Sequence, residues 1–255
     1  MDTPVWERFD SAHTLGRHIN GYGTLVSTQD AAWALADAGA RHGTAVQADT
    51  QTQGRGRFAR RWEAGPGDAL LLSVLVRPPL AVVPLLTVAT TLAVCDAVRA
   101  LAGVEAAVKW PNDVHVDGRK LAGVLAEGRT GTDGATACVI GIGLNLNLDP
   151  AAHPAIAETA TSLRALTSGY FEPAHAGAVV LAALDGAYAA GVGGEDLVAR
   201  WRAALDTLGK RVRVGVPGGA LAGIAEDVDR EGRLLLRTDD GRVHTLPAGD
   251  VTLAT

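Results

Sequence analysis

Residues 69–76 read Ala-Leu-Leu-Leu-Ser-Val-Leu-Val, with Pro-Gly-Asp before the run and Arg-Pro-Pro after it. An apolar run of this length without alternation, bounded by turn residues, suits a strand buried on both faces. A covered sheet is therefore expected at the centre of the chain. Downstream, Leu85, Val88, Ala89, Leu92 and Cys95 recur at helical spacing from Pro84 to near Gly103, so a helix lies on that sheet. Upstream, a short strand near Thr24–Ser27 leads into a helix over residues 29–38, capped by Ser27 or Thr28 with Asp30 in the first turn. A strand over 44–49 follows, and residues 1–23 read as irregular because Gly16, Gly21 and Gly23 break them.

Beyond the helix come strands at 107–110 and 114–116, an Asp117-Gly118 hairpin turn, a return strand at 120–127 and another at 136–146. Residues 149–173 are rich in loop signals, and 173–208 reads as two helices. From Arg211 the pattern changes to short β-runs, RVRVGV, LAGIAEDV, GRLLLR and RVHTLP, separated by turn sequences. The expected fold is α+β: a mixed β-sheet flanked by helices over residues 1–208, then a small SH3-like β-barrel over 209–255.

The composition is that of an ordinary globular protein, 47% hydrophobic and 20% charged, with a formal net charge of −5 that argues against general affinity for nucleic acid or acidic membranes. No apolar run reads as long enough to span a membrane, and the acidic N-terminus has no secretory h-region, so the cytoplasm is expected. Cys95 and Cys138 lie in apolar surroundings and read as buried thiols rather than a disulfide. The seven histidines show no metal-ligand spacing and read as surface residues.

Two stretches carry chemistry. Residues 51–62, QTQGRGRFARRW, hold Arg55, Arg57, Arg60 and Arg61 with no helical or strand period. Gly54 and Gly56 allow close approach to a ligand, and forked guanidinium donors suit carboxylate and phosphate oxygens. Such a run can equally be a solvated basic loop, but in an acidic protein it favours a small anionic ligand. Lys109-Trp-Pro-Asn-Asp113 is ordinary turn chemistry taken alone. The hairpin then returns Lys120 roughly opposite Asn112 or Asp113, and two lysines beside an acid read as a site. Gly141 and Gly143 stand inside a strand, where glycine marks close approach of a ligand or of another backbone, and Asn145 offers a hydrogen-bonding edge.

The order STQ, QTQGRGR with RRW, KWPNDV, GRKLAGVLAEG, GIGLNLN and ATSL resembles biotin protein ligase (biotin–acetyl-CoA-carboxylase ligase), over nearly the whole chain. The resemblance implies a class II synthetase-like catalytic domain followed by an SH3-like domain. It implies that biotin and ATP, with Mg²⁺, form biotinyl-5′-AMP, and that biotin then passes to one lysine of a carboxylase biotin carrier domain. Carried over by motif, Ser27, Thr28, Gln29, Gln51, Gly54, Arg55, Lys120 and Gly123 would bind biotin. Arg55, Arg57, Trp62, Lys109, Asn112 and Asn145 would bind ATP. Lys120, Arg55, Arg57 and Asp113 would act in catalysis, with Asp113 orienting the acceptor lysine. A homodimer is implied as possible. Two positions depart from the family pattern: Gln29 stands where Asn is common, and Ala59 where Gly is usual. Three alternatives stand beside this reading: a lipoate-type ligase on a related fold, a biotin-binding repressor with an N-terminal DNA-binding domain, and a non-catalytic biotin-binding module. Residues 1–23 read as too short and glycine-broken for a helix-turn-helix.

Overall fold

The structure, a computed structural model, describes residues 3–9, 13–131, 134–216 and 219–253. In chain order it forms β1 (Trp6–Phe9), β2 (His18–Leu25), α1 (Thr28–Asp37), β3 (Thr44–Gln51), β4 (Ala69–Val76) and α2 (Leu86–Ala102). Then come β5 (Ala107–Lys109), β6 (Asp113–Val116), β7 (Arg119–Thr130), β8 (Thr136–Asn145), α3 (Leu163–Thr167), α4 (Pro173–Val192) and α5 (Leu197–Ala204). The C-terminal part adds β9 (Arg211–Val216), β10 (Gly219–Val228), β11 (Leu234–Thr238), β12 (Val243–Leu246) and β13 (Asp250–Leu253).

Eight strands make one mixed sheet in the order β1-β2-β3-β4-β8-β7-β6-β5. Only β2 and β3 are parallel; the other pairs are antiparallel. β4 sits in the middle and every one of its residues is buried, as its unbroken apolar sequence requires. Its two faces serve different layers. Leu70, Leu72, Val74 and Val76 join the core under α2 and α4, whereas Leu75 packs with Trp33 and Ala32 of α1. The side of β4 that carries Ser73 and Leu75 therefore faces α1.

Several local expectations need correction. Residues 1–23 carry β1 and most of β2 rather than irregular chain. Gly21 is not a break: it pairs with Trp6, and a Cβ there would lie 1.9 Å from the Trp6 ring, so glycine marks a close crossing. Pro84 lies in a 3-10 turn, Leu80–Leu85, that precedes α2, and α2 ends as expected at Gly103 in the left-handed conformation. The region 149–173 hides α3, capped by the Ser162 side chain. Leu80–Ala102 and Pro173–Val192 are long and apolar enough to cross a membrane by length and composition, contrary to the reading of the sequence; α2 and α4 within them pack together against the sheet.

Asp117 and Gly118 both take positive φ, 51° and 75°, as a tight two-residue hairpin demands. The register differs from the expected one. A bulge between Val114 and His115 sets Lys120 opposite His115, and Gly123 opposite Asp113. His115 is only 7% exposed, so it is a core histidine rather than a surface one. Cys95 and Cys138 are buried free thiols, and burial pushes Cys95 up to about 12.

The C-terminal strands form a separate antiparallel sheet in the order β12-β11-β10-β9-β13, in which β13, unseen in the sequence, pairs with β9. This module shares the core of the large domain. Trp110 is 1% exposed; its backbone N–H donates to Thr207 Oγ1 (2.9 Å) and its indole N–H to Gly232 O (3.0 Å). Trp201 Nε1 donates to Thr91 Oγ1 (2.9 Å), and Arg202 reaches Asp227 and the Val228 carbonyl. Trp110→Ala would leave a cavity on this seam and is expected to cost about 3–5 kcal/mol, read as a lower denaturation midpoint. A midpoint like that of the unmodified protein would show the seam to be unimportant.

Candidate active site

The site lies on the α1 face of the sheet, beside the helix N-terminus. Ser27 caps α1 by accepting the Gln29 N–H (3.2 Å), which turns Thr28 and Gln29 inward. The Thr28 N–H donates to Gln51 Oε1 (2.7 Å), and the Thr28 hydroxyl lies 3.1 Å from that oxygen and 2.9 Å from Ser73 Oγ. With its oxygen held, the Gln51 amide presents its nitrogen as a donor. These groups form a neutral polar end to a cavity of about 140 Å³.

The floor is cut by glycine. β7 and β8 pair Gly123 with Gly143 and Leu125 with Gly141. A Cβ on Gly143 would sit 2.5 Å from the Trp62 indole, and one on Gly141 2.6 Å from Gln29 Oε1. The indole of Trp62 thus rests on a stripped patch of sheet, with Lys120 Nζ 5.6 Å from its centroid. Trp62 Nε1 is buried and has no partner among the described residues, a donor left for an acceptor that enters the cavity.

Charge is concentrated on the same cavity. Arg55, Arg57, Arg60, Lys109 and Lys120 all line the cavity, brought there by the loop after β3, by β5 and by the hairpin. Most are held by acids. Arg55 pairs with Asp30 (2.6 Å) and with Glu127; Lys120 pairs with Asp113 (2.8 Å); Arg60 pairs with Asp250. Arg57 donates to Asn112 Oδ1 (2.9 Å) and to the Gly249 carbonyl (3.4 Å). Burial lowers the Arg57 pKa while Asp113 and Asp250 raise it, and the Asp250 hydrogen bond raises that of Arg60. Lys109 forms no ion pair among the described residues, which leaves it free for an anion. At the loop tip Phe58 is exposed at φ 53°, a left-handed position ordinarily taken by glycine.

Of the residues expected from the sequence, Thr28, Gln29, Gln51, Arg55, Arg57, Trp62, Lys109, Asn112, Asp113, Lys120 and Gly123 converge on this one cavity. Three do not line it. Ser27 is spent as the helix cap, Gly54 is pressed against the Trp62 carbonyl, and Asn145 donates to Thr161 O (2.9 Å), tying down the chain next to Lys120. Gln29 reaches the wall with its amide already used. Its nitrogen donates to Val139 O (3.1 Å) and Glu127 Oε2 (3.3 Å), and its oxygen accepts from Ser73 (3.1 Å).

Ser73, Glu127 and Asp250 carry no site signal in the sequence reading above, and Asp30 enters it only as a first-turn helix charge. Alternation from Gly123 through Leu125 to Glu127 could have exposed Glu127, and Ser73 is the lone polar residue of its run. Asp250 carries no local signal.

Gly143→Val is expected to remove ligand binding by driving Trp62 off the floor, measured by calorimetric titration with biotin; unchanged affinity would contradict the tight contact. His115 supplies a pH test. Burial lowers its pKa below 6.5, so the folded state holds fewer protons than the unfolded one and stability falls as pH drops below about 6.5. In His115→Leu the denaturation midpoint should depend less on pH between about 7.5 and 5.5, and an identical slope would show that His115 is accessible to protons in the folded state.

Comparison with known proteins gives the family. Residues 22–145 match the biotin/lipoate A/B protein ligase family, and residues 207–253 match the biotin protein ligase C-terminal domain. The chain is 38% identical over 217 residues to the biotin–acetyl-CoA-carboxylase ligase of Mycobacterium tuberculosis, covering 82% of this chain and 78% of that protein. It is 32% identical over 244 residues to the bifunctional ligase/repressor BirA of Bacillus subtilis, covering 94% and 75%. The biotin protein ligase of Aquifex aeolicus, solved with biotin and ATP, superposes with a TM-score of 0.78 at 25% identity, over 92% of this chain and 98% of that one. Arginine loop, glycine floor and C-terminal sheet occur here in one molecule, and the chain belongs to the biotin protein ligase family.

Proposed function

We propose that the protein joins biotin to ATP as biotinyl-5′-AMP and passes the biotinyl group to a lysine of a carboxylase biotin carrier domain, in the cytoplasm. The observation that carries the reading is that Arg55 of the loop and Lys120 of the hairpin line the same cavity as Thr28 and Gln51. The first half-reaction brings a carboxylate against the α-phosphate of ATP, and their repulsion must be cancelled where they meet. Arg55 and Lys120 take the carboxylate and the charge developing at phosphorus. Arg57 and the free Lys109 take the phosphates. Trp62 provides a flat apolar surface and an unused N–H. The ureido ring needs donors and acceptors in an otherwise apolar pocket, which Gln51 and Thr28 supply.

ATP carries its own magnesium in this scheme. Among the described residues no three His, Cys, Asp or Glu side chains converge on a metal position, which suits a Mg²⁺ held chiefly by phosphate oxygens and water. In the proposed second half-reaction Asp113, paired with Lys120 at 2.8 Å, orients the incoming amine. A lipoate-type acid on the same fold has a dithiolane with no hydrogen-bonding edge, and would offer no acceptor to the Gln51 amide nitrogen, whose oxygen is already held by Thr28. The net charge of −5 gives DNA no part in the proposal.

Biotin-dependent pyrophosphate exchange tests the reading directly. Lys120→Ala is expected to lower exchange by about 10²-fold or more with the fold intact by circular dichroism; exchange at the normal rate would remove Lys120 from the chemistry. Arg55→Ala should speed escape of biotinyl-5′-AMP, and an unchanged dissociation rate would count against a covering role for the loop.

A further inference from the structure

A second cavity, of about 220 Å³, adjoins the site at the junction with the C-terminal module. Arg57, Pro111, Asn112, Val124 and Leu125 line both cavities, so the partition between them includes the Arg57–Asn112 hydrogen bond. Its far walls combine the apolar surfaces of Pro84 and Val88 beside the start of α2, Trp201 of α5 and Pro247 with Thr87 and Gly232. One acid, Glu231, contributes to the rim from the exposed turn before β11, where it also meets Arg233 at 2.8 Å.

We infer that this annex is the channel for the acceptor lysine, an inference that rests on the ligase reading above. The shape suits a four-carbon stem with a polar tip: proline, valine and tryptophan surfaces take the methylenes while the carboxylate at the rim attracts the ammonium. The charge gradient supplies the next requirement. An ammonium cannot attack, and an amine moving inward from Glu231 meets the fixed guanidinium of Arg57, which favours its neutral form. A triphosphate placed there would face the Glu231 carboxylate at the rim. Opening the Arg57–Asn112 bond joins the two cavities. In the transfer step the amine nitrogen forms the new bond to the biotinyl carbonyl carbon. The bond from that carbon to the phosphate oxygen breaks, AMP leaves with the electron pair, and the amine's surplus proton passes to solvent. The C-terminal module thereby helps to build the second half-reaction's entrance as well as the wall of the first site.

Thr87, which lines the annex from the first turn of α2, permits a selective test. Thr87→Phe should fill the annex and lower kcat/KM for a purified carrier domain about tenfold or more. Glu231→Lys, at an exposed position, should lower it several-fold through the KM for that domain. In both variants pyrophosphate exchange, and release of the biotinyl group to hydroxylamine, should stay within about twofold of the unmodified protein. Carrier transfer at the unmodified rate in Thr87→Phe would overturn the assignment. So would a parallel loss of exchange with a raised KM for ATP, which would put the nucleotide there instead. If the unmodified protein gave no exchange at all, the ligase reading itself would fail. Should Thr87→Phe not fold, Glu231→Lys alone decides: unchanged carrier KM refutes the channel.

Discussion

Like charges held together without their substrate are the central constraint on this molecule. Arg55, Arg57, Arg60, Lys109 and Lys120 face one cavity, and a partly desolvated cluster of that kind repels itself. The fold answers with carboxylates from four different elements: Asp30 of α1, Asp113 of β6, Glu127 of β7 and Asp250 of β13. Each is a substitute anion of the kind that a substrate carboxylate or phosphate would supply. The cationic cluster is thus neutralised from within the fold. The pairs are partly exposed, so their worth lies in orientation more than in stability.

That arrangement depends on the sheet beneath it. The floor needs Gly141 and Gly143 on the α1 face of β8, because Gln29 and Trp62 lie too close for a Cβ there, and at Gly123 of β7 a Cβ would be tight, 3.2 Å from Trp62 and Lys120. It needs α1 to begin where Ser27 caps it, so that Thr28 meets Gln51 and Ser73. It also needs β4 covered on both sides, with Leu70, Leu72 and Val74 under the long helices. Each buried leucine of that set contributes about 1.5–3 kcal/mol, enough to hold a strained and charged edge in place.

What could be read from the chain was whatever its local chemistry dictates. The unbroken run of β4, the Asp117-Gly118 turn, the Ser27 cap and the arginine-glycine loop each state their structure in a few residues. What could not be read depended on distant partners. Gly21 looks like a break until Trp6 is seen lying across it, and His115 looks like surface until the bulge in β6 turns it inward. Asn145 offers a hydrogen-bonding edge in the sequence, and in the fold its amide nitrogen donates to the Thr161 carbonyl. Asp250 enters the site only because β13 returns to pair with β9, a tertiary event with no signal of its own.

The buried seam around Trp110 and Trp201 sets the size of the cooperative unit. Val212, Val214, Leu234 and Leu236 of the small sheet belong to the same apolar cluster as α2 and the main sheet, so the module cannot melt away and leave a native remainder. Loss of either part exposes two indoles and strands the hydrogen bonds to Thr207, Gly232 and Thr91. Its small C-terminal sheet is thus a keystone of the shared core rather than an appendage.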